Sequence, residues 1–362
     1  MAATAGRDKR KFMHDGNDER RLADDGWRMP AEWERHERCL IAWPPASRPF
    51  GGDEPHRAAK RAYGEVAAAV QSFEPVTVLV DPTQRDEARR MLTSDVELIG
   101  LPLDDGWMRD TGPTFLLGEG CLAGIDWRFN GWGQSGQPWA KDDLVAPAVT
   151  ELAGARSIRS SLVLEGGALH TDGAGLLLTT DSVLFDPRRN GGVAERDILS
   201  ELQTLLHVDT VLRSPWGWID DETGGHIDNV ACFAPGNRIL IQLPETVDDP
   251  NWPRGRDLAA RLEAQIDNAD LAKDILVLPA PRPRRRHDGT WLTRSYINHY
   301  VANGAVIAPT FGDPADEVAH ARLRQAYPDR ELICIDANGI VEGGGGIHCI
   351  TLQQPAPGRP SR

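Results

Sequence analysis

Short apolar runs alternate with longer stretches in which apolar residues recur every three or four positions, and the alternation repeats five times along the chain. The longer stretches are Arg57 to Phe73, Asp142 to Leu152, Glu195 to Leu206, Arg256 to Asp267 and Asp316 to Tyr327. Their Ala, Leu and charges at helical spacing predict five helices. Between them lie five segments with one layout: a polar or glycine-rich lead-in, a strand-like run and, in most, a turn with a second strand-like run. These are Asp104 to Leu117, Glu165 to Thr180, Asp220 to Ile241, Thr293 to Pro309 and Glu342 to Leu352. Their polar anchors Asp110, Glu165, Asp228, Asn298 and Cys349 lie 55, 63, 70 and 51 residues apart, an interval that suits one supersecondary unit each. No Rossmann or P-loop glycine signature accompanies the pattern. The sequence therefore predicts a ring of similar α/β units whose polar lead-ins converge on the axis, with two ordinary α/β domains meeting near residues 181–215 as the alternative.

Composition narrows the possible functions. Residues 1–24 carry six Lys/Arg and five Asp/Glu without periodicity and read as a disordered or tag-like extension, which leaves residues 25–362 as the folded domain. The charges at the N-terminus also displace the apolar core that a secretory signal needs. No run approaches the roughly 18 apolar residues of a membrane span. The whole chain has 40 Lys plus Arg against 54 Asp plus Glu, a net charge of −14, which argues against nucleic acid and membrane surfaces and favours a cationic ligand. Five scattered cysteines, with no C-x-x-C pair, fit neither a disulfide framework nor a zinc site and suit a reducing cytoplasm.

One of those cysteines stands apart. Cys349 follows four consecutive glycines, Gly343 to Gly346, which cost backbone entropy and serve no core; they let backbone approach a ligand closely. Cys39, Cys121, Cys232 and Cys334 sit in ordinary apolar strand patterns and read as structural. A nucleophilic thiol needs a cationic helper. On a strand His348 would face away from Cys349, so His226 is the better partner, and its neighbour Asp228, two residues on, would share its strand face. These two supply too few ligands for a metal, and no other histidine shows a matching local constellation. Asp110, beside Trp107 and Arg109, and Glu165, before paired glycines, read on their own equally well as turn-forming residues. Taken together, the motifs offer a thiol, an imidazole and three carboxylates at equivalent places in the repeat. Clustered carboxylates repel unless a cation lies between them, and a planar guanidinium matches them in bidentate fashion.

The motifs resemble the agmatine deiminases, within the guanidine-modifying (pentein) superfamily. The resemblance rests on MPAEWERHERCLIAWP at 29–44, WMRDTGPTF at 107–115, IDWRFNGWG at 125–133, LEGGALHTDG at 164–173, DETGGHIDN at 221–229, SYINHYVANGAVIAPTFGDP at 295–314 and GGGGIHCITLQQP at 343–355, and covers nearly the whole chain. It implies a five-bladed α/β propeller of ββαβ units and hydrolysis of agmatine to N-carbamoylputrescine and ammonia, without cofactor or metal. It also implies a place in putrescine formation in the cytoplasm, with a homodimer open as the assembly. Carried over residue by residue, Cys349 is the nucleophile, His226 the general acid and base, Asp110 and Asp228 the guanidinium clamp, Glu165 the carboxylate that orients His226 and keeps it protonated, and Trp107 a wall of the substrate site.

Two positions depart from the family's pattern: Gly224, where Asp or Asn is common, and His299, where an aromatic residue is common. Candidates for the amine end of agmatine are Glu222 and Asp221, just before His226, together with Glu32 and Trp33. Arg109 would favour arginine if it faced the pocket, but strand alternation from Asp110 turns it away. The basic run Arg282 to His287 reads as a solvated surface loop. Rival readings are deimination of peptidyl-arginine or free arginine, amidino transfer, a thiol protease, for which the extra carboxylates have no role, and a binding scaffold, which would not need the thiol and imidazole.

Overall fold

Five small sheets account for the repeated segments. The computed structural model describes residues 26–358 apart from 48–49, 51, 119, 135, 137 and 287, so the extension expected over residues 1–24 lies outside the described residues. The first sheet contains β1 (His36–Ala42), β2 (Val76–Val80) and β3 (Glu97–Gly100), with α1 (Asp53–Gln71) between β1 and β2. The second has β4 (Thr114–Leu117), β5 (Leu122–Arg128), α2 (Val145–Leu152) and β6 (Arg156–Val163). The third follows with β7 (His170–Thr171), β8 (Leu176–Thr180), α3 (Glu195–Leu206) and β9 (Thr210–Ser214). The fourth has β10 (Ala231–Ala234), β11 (Arg238–Leu243), α4 (Trp252–Asn268) and β12 (Asp274–Pro279), and the fifth β13 (Tyr300–Ala302), β14 (Ala305–Thr310), α5 (Ala315–Ala326) and β15 (Glu331–Asp336).

Each of the last four sheets is one antiparallel pair followed by a parallel third strand. The parallel step needs a crossover, which the helix supplies. This is the ββαβ unit, five times over, in a five-bladed α/β propeller. The first blade lacks its opening strand until the chain returns: β16 (Thr351–Pro355) pairs antiparallel with β1, Leu40 opposite Leu352 and Ile41 opposite Thr351, and closes the ring.

The crossover helices form where periodicity predicted them because each has one apolar face to bury. α4 buries Leu258, Leu262 and Ile266 at four-residue spacing, and α1 buries Ala59, Ala62, Tyr63, Val66, Ala67 and Val70. Each large side chain so buried contributes about 1.5–3 kcal/mol. The lead-ins differ from expectation. Asp110 lies in a single helical turn, Met108–Thr111, Cys349 in another, Ile347–Ile350, and Asp228 in a 3-10 turn, Ile227–Asn229. Successive side chains there diverge by about 100° rather than alternating, so the strand-face argument for Arg109, His226, Asp228 and His348 does not apply.

Candidate active site

The helical turns touch one another at the centre of the ring: Met108–Thr111 meets both Ile347–Ile350 and Gly166–Ala168, and Gly166–Ala168 meets Ile227–Asn229. Glu165, His226, Asp228, Cys349 and Asp110 are all buried there. The reason they can crowd together is Gly167. A Cβ on it would fall 2.6 Å from His226 Nδ1, 2.7 Å from Asp110 Oδ1 and 3.1 Å from Asp228 Oδ2. Its backbone N–H instead donates to Asp110 Oδ1 at 3.0 Å.

Each functional group is fixed from behind. Trp132, held at φ 54° between two glycines, donates its indole N–H to Asp110 Oδ2 at 2.9 Å. Glu165 Oε2 lies 3.2 Å from His226 Nε2, and Arg189 Nε donates to both Glu165 oxygens at 2.9 and 3.1 Å. His226 Nδ1 stands 3.6 Å from Asp110 Oδ1. Asn298 braces Cys349: its Oδ1 accepts from His348 N at 2.9 Å, and its Nδ2 lies 3.1 Å from Cys349 Sγ. Sγ is also 3.4 Å from Asp228 Oδ2. A small cavity lined by Trp107, Asp110, Trp132, Glu222, Thr223, Gly343 to Gly345 and Cys349 opens onto the thiol and the Asp110 carboxyl. Phe50 stacks on Trp107, ring centroids 5.2 Å apart, and stiffens that wall. The larger surface cleft beside Trp252, Val277 and Val318 holds none of this chemistry.

The electrostatics follow from burial. Burial lifts the Asp110 carboxyl to about 6, with Asp228 and Glu165 adding to the rise and His226 opposing it. Burial alone would lower the His226 imidazolium, but the charges of Asp110, Glu165 and Asp228 carry it up to about 9. Burial would raise Glu165, yet Arg189 and His226 hold it below the ordinary carboxylate range. The Cys349 thiol is pushed well up, first by burial and then by Asp228 and Asp110. The resting site therefore holds a neutral thiol beside an imidazolium.

Not every expected contact lies at the cavity. Glu32 is buried behind the site, paired with Arg109 and His348. Trp33 packs between two apolar cores. Asp221 is spent on its own turn: Oδ1 accepts from Thr223 N and Oγ1, and Oδ2 from Asn229 Nδ2. Glu222 alone of the four lines the cavity, against Gly344, whose missing Cβ would fall 2.5 Å from its Oε2. The basic run is not simply solvated either, since the mostly buried Arg286 pairs with Glu222 Oε1 at 2.8 Å. Arg189 drew no notice from sequence, while Trp132 stood only within the motif at 125–133 and Gly167 only as one of the paired glycines after Glu165. A usable signal existed in the Gly-Trp-Gly of residues 131–133 and in the doubled glycine after Glu165.

Over residues 28–355 the chain matches the family described as Porphyromonas-type peptidyl-arginine deiminase. It is 37% identical over 357 residues to the agmatine deiminase of Ectopseudomonas mendocina, covering 92% of this chain and 96% of that one. Among solved structures, an agmatine deiminase of Enterococcus faecalis matches with a TM-score of 0.86 and 32% identity, over 92% of this chain and 97% of the other. An amidinotransferase from Microseira wollei, with a TM-score of 0.51 and 15% identity over 92% and 98% of the two chains, shares the fold alone. On both sequence and fold, the chain belongs to the Porphyromonas-type peptidyl-arginine deiminase family, alongside the agmatine deiminases.

Proposed function

We propose that the protein hydrolyses agmatine to N-carbamoylputrescine and ammonia, with residues 25–362 acting as one catalytic unit. The observation that carries this reading is a pair of buried atoms, Asp228 Oδ1 and His226 Nδ1, that have no hydrogen-bond partner among the described residues and lie beside a buried thiol. Such atoms are costly unless a ligand satisfies them. A guanidinium between Asp110 and Asp228 donates to Asp228 Oδ1 and brings positive charge to the carboxylates that hold the Cys349 thiol protonated, while the His226 Nδ1–H is left to be given to the departing nitrogen. The thiol then loses its proton to solvent water and Sγ bonds to the guanidinium carbon. The His226 imidazolium gives its proton to the departing nitrogen, the C–N bond breaks, and ammonia leaves a thiouronium on Cys349. Water attacks that carbon, His226 takes up the proton, and the C–S bond breaks to release the ureido product. Glu165 holds the imidazole for both steps, and Trp107 walls the reacting carbon.

Both limbs of the pH profile follow. Asp110 must be ionised to receive the cation, and His226 must be protonated to release the leaving group. The expected kcat/KM is bell-shaped, falling below about 6 and above about 9. Ammonia release across this range is the measurement, and a profile still rising above the upper limit would remove His226 as the acid.

Glu222 is the candidate contact for the far ammonium of agmatine. Glu222→Gln is expected to raise KM for agmatine about tenfold, the cost of one charge-assisted hydrogen bond, and more than it does for a neutral alkylguanidine of equal length. Equal effects on both substrates would move the amine contact elsewhere. A second reading, free arginine, draws on Arg286, because an arginine and a glutamate side by side suit a zwitterionic end. An ammonia-release assay on agmatine, arginine and an arginyl peptide decides the matter. Agmatine is expected to be preferred strongly, and comparable kcat/KM on arginine would refute the preference. In the same reading the protein works in putrescine formation, and in the cytoplasm, the compartment being supported by five cysteines with no disulfide among the described residues.

A further inference from the structure

Behind the clamp lies a second row of buried charges that none of these steps uses. His348 Nδ1 stands 2.9 Å from Asp228 Oδ2, and His348 Nε2 stands 2.9 Å from Glu32 Oε1. Glu32 also holds Arg109 Nη1 at 3.1 Å and His170 Nε2 at 3.4 Å. None of these five side chains exceeds 6% exposure. An imidazole donates through both nitrogens only as the imidazolium, and here each nitrogen faces a carboxylate oxygen at hydrogen-bond distance. The arrangement is therefore built for a cation at position 348, one residue from the nucleophile and outside the cavity lining.

That cation bears on a specific difficulty. Asp228 is buried near Asp110 and Glu165, and like charges in a dry site drive one another toward protonation. One of its oxygens must also remain available to a ligand, and Oδ1 is the oxygen without a partner. We propose that His348, held by Glu32, is a positioning residue: it pins Oδ2 of Asp228 and keeps that carboxylate ionised, so that Oδ1 is presented to the guanidinium. The proposal rests on the reading of Asp228 as half of the clamp.

The surroundings of His348 are consistent with this. Burial and the neighbouring Arg109 oppose its protonation, but Glu32 and Asp228 outweigh them and raise it. Burial would raise Asp228, but His348 first, and then His226 and Cys349, together hold it below the ordinary carboxylate value. The other titratable groups nearby are His170, whose ring centroid is 6.4 Å away, and His299, which burial holds down at about 4.

The test is the pH dependence of kcat/KM for agmatine in His348→Asn and Glu32→Gln, with thermal unfolding followed in parallel. His348→Asn is expected to lose about ten- to a hundredfold in kcat/KM, chiefly through KM. Its acid limb, set by Asp110 in the wild type, should move up, because Asp228, buried beside two carboxylates and no longer facing a cation, rises past Asp110 and takes over the limb. Glu32→Gln, which touches neither Asp228 nor the cavity, should move the limb the same way by less, and it decides the matter if His348→Asn does not fold. In an Asp228→Asn background, His348→Asn should add little further loss, since both changes break one unit. Acid limbs unmoved in both single variants, or full additivity with Asp228→Asn, would overturn the proposal while leaving the clamp standing. Wild-type-like kinetics in Asp228→Asn alone would remove the clamp, and the proposal with it.

Discussion

Cys349→Ala is expected to abolish ammonia release, by roughly 10⁴-fold or more, while the protein still folds and still binds agmatine. Among the described residues that line the cavity, the thiol is the group proposed to form the covalent adduct, and the clamp, imidazole and brace remain in place without it. The matched control is Cys232→Ala. Cys232 is also buried and its thiol is likewise raised far above the ordinary range, but it sits in β10 opposite Leu240, within apolar packing. It should keep wild-type kcat/KM. Calorimetric titration of agmatine into the Cys349→Ala protein separates binding from chemistry, and turnover surviving in that variant would reassign the nucleophile.

Gly167→Ala should be nearly as damaging, although it adds only a methyl group to a residue with no chemistry of its own. The new Cβ would fall within 2.7 Å of both His226 Nδ1 and Asp110 Oδ1. Neither can step aside, because Glu165 and Trp132 grip them from behind. A displacement of about 1 Å in a reacting group can cost on the order of 10²-fold, so a loss of at least that size in kcat/KM is expected. Gly358→Ala, where a Cβ meets nothing within 4 Å, is the neutral comparison. A Gly167→Ala enzyme within threefold of wild type would mean that the catalytic groups are not packed around that glycine.

The architecture was legible because its signals are local and repeated. Helical periodicity located the five crossover helices to within a few residues, and the spacing of Asp110, Glu165, Asp228, Asn298 and Cys349 marked the lead-ins that meet at the axis. Four-residue helical turns at those lead-ins were not legible, since one turn is too short to show a period. That is why the strand rule misjudged the company of Arg109 and His348. Partners far apart in the chain were hidden for another reason. Glu32 and His348 are separated by 316 residues, and nothing in either neighbourhood announces the other. Glu32 was therefore assigned to the amine end of the substrate when its burial places it beneath the site. Arg286 was misread because charge density in a loop says nothing about one member folding back onto Glu222. Asn298 was visible as an anchor of the repeat, but its role needed the geometry of Cys349.

Ring closure by β16 has a consequence for the order in which the protein is made. Cys349 is joined through Ile350 directly to Thr351, the first residue of the strand that seals the propeller against β1. During synthesis from the N-terminus, the carboxylates, the imidazole and the tryptophan walls are all made before the thiol that completes them. The residues of the cation clamp are therefore in the chain before either the thiol or the strand that closes the ring around them. The segment that brings Cys349 runs straight into the strand that locks the fold, so a translation product ending before residue 349 carries neither the thiol nor the closure against β1.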